Sequence, residues 1–415
     1  MALRHAVRVA LLVGLPLIAQ AAHADDRADL ARSTCAALDR AVTAGSLDVA
    51  GGPLLLASYQ DGPARPTDSA ALRGVAFTYD NALASIALFA CGKPAAAKRI
   101  ADALVRAATS DPEYHDGRIR NAYAAGPVKG PAMTLAGYWS TERNAWNQDP
   151  YQVSFATGNA AWAALALIDA YRQTRDATYL AAARRVLAWV AKDTLGDKAP
   201  AGFVGGWFLE ASRLVRQEWK STEQNTDLAA AWTAIDRVAP DADAKAQAAI
   251  AGGFVRSQWD AKEGRFFIGT GTDGQTSDRD HSGLDAQIWP LIAFRDPPTD
   301  WMRVLAFVDA VHGMAGGYGF NRHPDGLWTE GTAQMASVFV LRGLAKRAAS
   351  LWPLLRRQQA DDGWLFATPQ ASLRTGLAIG PDSVTDDFRY YHLPHLGATA
   401  WAAIAAKGVN PFIGR

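Results

Sequence analysis

Five carboxylates stand where acid–base chemistry could be done: Asp80, Glu223, Asp285, Glu330 and Asp387. The clearest setting is EWKSTEQNTDLAAAW, Glu218 to Trp232, which opens with polar and acidic groups and turns apolar within about one helical turn. A carboxylate at the mouth of a helix that is otherwise buried is costly unless it has a partner or a task. Burial and acidic neighbours such as Asp227 raise the proton affinity of Glu223, the property required of a general acid.

The same pattern recurs. FTYDNA brings Tyr79, Asp80 and Asn81. WNQDPYQVS brings Trp146, Gln148, Asp149, Tyr151 and Gln152. KSTEQNTD adds Asn225 to Glu223 and Asp227. GLDAQIW brings Asp285 and Gln287, and LWTEGTAQ brings Trp328, Glu330 and Gln334. TDDFRYYHLPH brings Asp386, Asp387, Arg389, Tyr390, Tyr391, His392 and His395. Each acid taken alone is accounted for by helix capping and the macrodipole, and Asp149 before Pro150 reads as a cap. Acids at all the mouths exceed what caps require. Aromatic faces with carboxylates and amides suit a carbohydrate, whose C–H faces pack on rings and whose hydroxyls need planar donors and acceptors. The substrate-binding set is therefore Tyr79, Asn81, Trp146, Gln148, Asp149, Tyr151, Asn225, Gln287, Trp328, Tyr390, Tyr391 and His392. Tyr114, Tyr123, Tyr138, Trp139, Trp207, Trp219, Tyr318 and Trp364 add aromatics from the long links.

The elements that must position these groups are helices. Apolar residues recur at helical spacing almost throughout. Six segments are amphipathic with Arg or Lys on one side: 26–42, 94–108, 178–192, 244–257, 300–312 and 345–358. Six are apolar all round: 79–90, 151–171, 222–235, 284–294, 330–344 and 394–406. The first kind belongs at a surface and the second in an interior. They alternate strictly, which predicts an all-α (α/α)6 toroid of six inner and six outer helices. Long outer-to-inner links place every inner-helix start on one face, where a site is expected. Ser221 with Gln224 reads as a capping box, Asp149-Pro150 as the start of the second inner helix and Pro394 as that of the sixth. RFFIGTG, residues 265–271, reads as a short hairpin, and Pro290 implies a late start or a kink in its helix.

Residues 1–24 read as a secretory leader: Arg4 and Arg8, an apolar run over 9–19, then Ala22-His23-Ala24. Cleavage there leaves residues 25–415 as one toroid, secreted or periplasmic. The formal net charge of +1 loses two arginines and becomes about −1, which argues against a nucleic-acid partner. No later apolar run is long enough to span a membrane. The expectation is a monomer with a carbohydrate substrate and no cofactor. Cys35 and Cys91 either pair, which fits an oxidising compartment, or remain buried thiols. His115, His281, His312, His323, His392 and His395 show no zinc-ligand spacing.

The pattern of six plus six helices, acidic inner starts and aromatic links resembles the six-hairpin glycosidase superfamily. By position in the ring, the resemblance implies a general acid at the third inner mouth, Glu223. A base is implied before the sixth inner helix, at Asp386 or Asp387, or at the first mouth, Asp80. The expected activity is hydrolysis of a poly- or oligosaccharide with inversion, a glucan being the expected substrate. Two alternatives stand beside it. One is a polysaccharide lyase using the cluster Arg389, Tyr390, Tyr391 and His392, for which the acidic crater supplies the wrong field. The other is a glycan-binding protein without turnover.

Overall fold

The computed structural model describes residues 7–45, 51–61, 67–380 and 388–414, with side chains from residue 25 onward except those of 67–69. The order of helices is α1 (Val7–Ala44), α2 (Thr78–Ala90), α3 (Pro94–Thr109), α4 (Pro150–Val153), α5 (Thr157–Thr174), α6 (Ala177–Asp193) and α7 (Thr222–Val238). Then come α8 (Ala242–Ser257), α9 (Leu284–Ala293), α10 (Val304–Val311), α11 (Thr329–Leu341), α12 (Ala345–Arg357) and α13 (Leu396–Lys407). Each inner helix packs on the next, in the order α2, α5, α7, α9, α11, α13, and α13 packs back on α2 to close the ring. The outer helices α3, α6, α8, α10 and α12 cover it, and α1 seals the closure by packing on α12, α13 and α2. The alternation read from the sequence is the (α/α)6 toroid that forms. A Cys35–Cys91 disulfide joins α1 to the end of α2. Among the described residues no helix is long and apolar enough to cross a membrane.

Three helix starts differ from expectation. Asp149 does cap, accepting from the Gln152 N–H at 3.1 Å, but it caps only the single turn α4. The chain then extends through a strand at Phe155–Ala156, and the second inner helix begins at Thr157. Pro394 lies in a strand with His395 that pairs with Leu365–Phe366, so the sixth inner helix begins at Leu396 with His395 as its cap. Ser221 accepts from the Gln224 N–H at 3.2 Å, but Gln224 packs its side chain over Gly158 rather than returning the bond. Pro290 sits inside α9, which nonetheless starts at Leu284. The fifth outer helix opens with a 3-10 turn, Thr299–Arg303. The expected hairpin at 265–271 is broken into separate pairings: Arg265–Phe266 pairs with Trp259–Asp260, Gly269 bridges Ser221 and Thr270 bridges Ser277.

The inner helices share one register. Counted from the N-cap, the second residues are Tyr79, Gly158, Glu223, Asp285, Glu330 and Gly397. The sixth are Leu83, Trp162, Asp227, Trp289, Gln334 and Trp401. At 3.6 residues per turn these two positions lie on one face, a turn apart, and the fourth residue lies on the other side. The second residues form the crater wall. The sixth form its floor, where Trp162 lies 5.3 Å from Trp289 and 5.8 Å from Trp401, closed below by Phe412.

The fourth residues are staples. Asn81 bonds both the N–H and C=O of Leu56 (2.8 and 3.0 Å), Asn225 those of Phe203 (2.8 and 2.9 Å) and Gln287 those of Phe266 (2.9 and 2.7 Å). Thr332 accepts from Tyr318 N–H and Thr399 from Leu365 N–H. Each staple satisfies backbone groups of the link entering its helix, which would otherwise be buried without partners. Asn81, Asn225 and Gln287 are fully buried in this work. They do not face the crater, and their sequence-based assignment to substrate binding is corrected accordingly.

Candidate active site

Three adjacent inner helices, α7, α9 and α11, place Glu223, Asp285 and Glu330 side by side on the wall. Glu223 is half-buried and Asp285 7% exposed, while Glu330 is buried at 1%. Burial raises the proton affinity of Glu223 well above the ordinary range, and Asp285, Asp227 and Glu330 push it further. Asp285 is pushed up by burial to about 6, against the downward pull of the Ala286 N–H that Oδ1 accepts at 2.7 Å. Asp227, a turn below Glu223, sits among the floor tryptophans, where the Trp162 N–H favours its ionised form. Burial and then Asp285 hold its carboxyl protonated well beyond the usual carboxylate range.

Glu330 joins a second group. Its Oε1 accepts from Tyr79 Oη at 2.6 Å and from Gln334 Nε2 at 3.4 Å. Tyr79 Oη in turn accepts from Trp401 Nε1 at 2.8 Å. Its Oε2 lies 3.6 Å from His395 Nδ1, and His395 Nε2 lies 3.5 Å from Asp80 Oδ2. Burial brings Glu330 up to about 7 despite the opposing pull of His395. Burial also lowers the His395 proton affinity, but Asp80 and Glu330 outweigh it and raise the net value. The helix cap opposes them, because Nδ1 already accepts from the Ala398 N–H at 3.2 Å. The convergence depends on Gly397: a Cβ there would stand 2.7 Å from Asp80 Oδ1 and 2.8 Å from Glu330 Oε2. Asp80, Glu330 and His395 offer donor atoms all within 4.8 Å of one another, close enough to share a proton or a divalent cation.

The remaining expected residues divide. Tyr151 borders the crater: burial, then Glu223, raise its hydroxyl to about 12, and its ring packs against Phe77 and Phe388. Tyr390 packs on Trp328 and, edge-on, on His395. Trp328 stands at the N-cap position of α11, buried between Phe320 and Tyr390, and offers no face to a substrate. Asp149 is a cap, and Gln148 is exposed. Trp146 is exposed on a hairpin outside the carboxylate group. The cluster at 389–392 is split by strand alternation. Tyr391 turns into a small core with Tyr59, Ala367 and Leu393. His392 faces solvent, stacked on Phe366 at 4.2 Å, with Nδ1 2.7 Å from Thr368 O. That dispersal keeps Tyr390 at the crater beside His395 and carries Tyr391 and His392 away from it. Asp386 and Asp387 lie outside the described residues.

The structure adds Gly397 and the tryptophan floor to the site and puts His395, one of the mouth residues of the sequence, at the centre of it. The signal for His395 was present: Thr399 follows it by four residues, as Asn225 follows Ser221, marking His395 as a cap.

No family model matches the chain, and no curated protein matches it. Solved structures do. The chain is similar to a wild-type glycosidase at 14% identity and TM-score 0.58, over 93% of this chain and 97% of that one. It is similar to a sugar epimerase from a ruminal bacterium at 14% identity and TM-score 0.59, over 91% and 99%. A third is a cellobiose 2-epimerase from Spirochaeta thermophila at 11% identity and TM-score 0.60, over 92% and 96%. The chain shares the (α/α)6 toroid fold of these structures.

Proposed function

We propose that the protein hydrolyses a glycosidic bond in a neutral oligo- or polysaccharide, with Glu223 as proton donor and Asp285 as the base that activates water. One observation carries this reading. Neighbouring carboxyl groups on one crater wall have environments that separate their roles, Glu223 being held protonated and Asp285, at about 6, being ionised at neutral pH. Both reach the crater, whereas Glu330 Oε2 is sealed from solvent. The acid-rich wall disfavours an anionic sugar. A glycosidase variant of the same fold was solved in complex with glucose, which supports a neutral sugar as the substrate class. Glu223 would protonate the leaving oxygen as the glycosidic C–O bond breaks, while Asp285 takes a proton from a water that attacks the opposite face of the anomeric carbon and inverts it. The leader-like first 24 residues support action outside the cytoplasm.

The test is a screen of neutral oligosaccharides and soluble polysaccharides for new reducing ends, with the first-formed anomer read by NMR. Turnover lost in Glu223→Gln and Asp285→Asn supports the reading. Turnover unchanged in both would remove it.

A second reading is favoured by the His395 contacts. An imidazole buried between Asp80 and Glu330 is a group that could take a proton next to a sugar carbonyl, as an epimerase requires. Deuterium entering a recovered sugar from D2O without new reducing ends selects that reading over hydrolysis.

A further inference from the structure

The link between α3 and α4 carries an antiparallel hairpin, Tyr138–Ser140 paired with Ala145–Asn147. It belongs to the face on which the inner helices begin. Trp139 stands directly opposite Trp146, so both indoles project from the same side of the ribbon. They are 56% and 61% exposed, unlike the tryptophans of the floor. Trp146 is held flat, not left free. Its ring lies across Gly137, where a Cβ would meet Nε1, Cε2 and Cζ2 at 2.5–2.7 Å. Only glycine at 137 lets the indole lie down on the strand and present its other face outward.

A fixed indole face beside a second exposed indole is a binding surface, since apolar area left in water has a cost and contiguous patches mark contacts. Its size identifies the occupant. An indole offers at most about 250 Å², so at these exposures the pair presents roughly 300 Å². A stable protein partner or second copy needs about 800 Å² on each side. The hairpin tip carries one acid, Glu142, and one base, Arg143, so it has no net field for an anionic surface. Two indoles of this exposed area on one side of the ribbon match a short stretch of pyranose rings. Two residues beyond the hairpin, Asp149 caps the turn that delivers Tyr151 to the crater rim.

We infer that Trp139 and Trp146 form a platform that holds a neutral glycan chain outside the catalytic crater, so that the preferred substrate is a polymer and not a di- or trisaccharide. The inference rests on the hydrolase reading for its substrate class, but its binding arm stands apart from turnover. The platform engages a run of sugar units by stacking, and the chain end or an inner bond then reaches Glu223 and Asp285.

The test is affinity electrophoresis of the full-length protein in gels containing a mixed-linkage glucan, an arabinoxylan or a galactomannan. Wild-type, Trp139→Ala/Trp146→Ala, Gly137→Val and Glu223→Gln proteins are compared. The expected result is retardation by at least one polysaccharide, on the order of tenfold weaker in the tryptophan variant. It should also be weakened in Gly137→Val and retained in Glu223→Gln. On a short chromogenic substrate the tryptophan variant should keep wild-type kcat/KM, which also shows that it is folded. Retardation lost with the tryptophans while no sugar is turned over would uphold the platform and sink the hydrolase reading. Turnover without retardation, retardation indifferent to the tryptophans, or a tryptophan-dependent dimer in sedimentation would overturn the platform.

Discussion

Tyr79 donates its hydroxyl hydrogen to Glu330 Oε1 at 2.6 Å, joining the first inner helix to the fifth. Tyr79 Oη also accepts from Trp401 Nε1 on the sixth, so one phenol fixes the carboxylate and ties it to the floor. A hydrogen bond to a charged group contributes about 1.5–3 kcal/mol. Tyr79→Phe should lower stability by that order. It should also move the Glu330 titration above about 7, because the bond that favoured the carboxylate form is gone. Thermal melts across pH 6 to 9 check both effects.

Activity should be bell-shaped in pH. It should fall below about pH 6 as Asp285 takes up a proton, and fall again at high pH as Glu223 loses its own. Glu223→Gln should cost about 10²–10⁴ in kcat with KM little changed. Asp285→Asn should remove the acidic limb. A limb that survives in that variant transfers the base role to another carboxylate of the ring.

Stability should decline as pH rises from about 5 to 8. Glu330 and Asp285 bind protons more tightly folded, at about 7 and about 6, than their ordinary values of 4.5 and 3.8. Across that window the folded chain holds more protons than the unfolded one, so unfolding is favoured as pH increases. Glu330 alone accounts for about 3 kcal/mol once fully ionised, as an order of magnitude. The melting temperature should be higher at pH 5.5 than at pH 8, with a smaller difference in Glu330→Gln. A melting temperature that climbs over this range contradicts the assignment.

Gly397→Ala should damage the site more than the fold. Its Cβ would crowd Asp80 Oδ1 and Glu330 Oε2 at 2.7 and 2.8 Å, so both carboxylates must turn aside. A fall of at least about tenfold in kcat is expected, since small displacements of positioned groups are costly. Gly253→Ala, on the outer helix α8 with nothing within 4 Å, is the control. It should leave activity alone and add about 0.5–1 kcal/mol of stability.

The Cys35–Cys91 bridge closes a loop with a sequence separation of 56 and pins α1, the helix that seals the ring. Replacing both cysteines by alanine should cost about 4 kcal/mol in the chain-entropy model. Differential scanning calorimetry under non-reducing conditions reads the loss. Activity at 25 °C should persist, because neither cysteine touches the crater wall.

The twelve long helices were legible because burial of a whole helix and burial of one stripe leave different periodicities, and these alternate along the chain. Glu223 was legible because Ser221 caps α7 as its side chain demands. The mouths at α5 and α13 were not. The cap at Asp149 is real, but it serves a one-turn helix, and a strand then consumes residues that the apolar pattern assigned to α5. Pro394 satisfies the rule for a first helical position equally well as a strand end, and only the pairing of His395 with Leu365 decides between them.

By itself, then, the sequence determined the ring: which segments are helical, which lie inside, and that acids gather at the inner starts. Direction was decided by the tertiary structure. Two residues along a helix is more than half a turn, so Glu223 and Asn225 point to opposite sides. Which side is crater and which is incoming link depends on where Phe203 and α9 lie in space. The same geometry makes Asp285 a wall residue and Gln287 a staple, and it brings Asp80, Glu330 and His395 together over a glycine from three helices far apart in the chain.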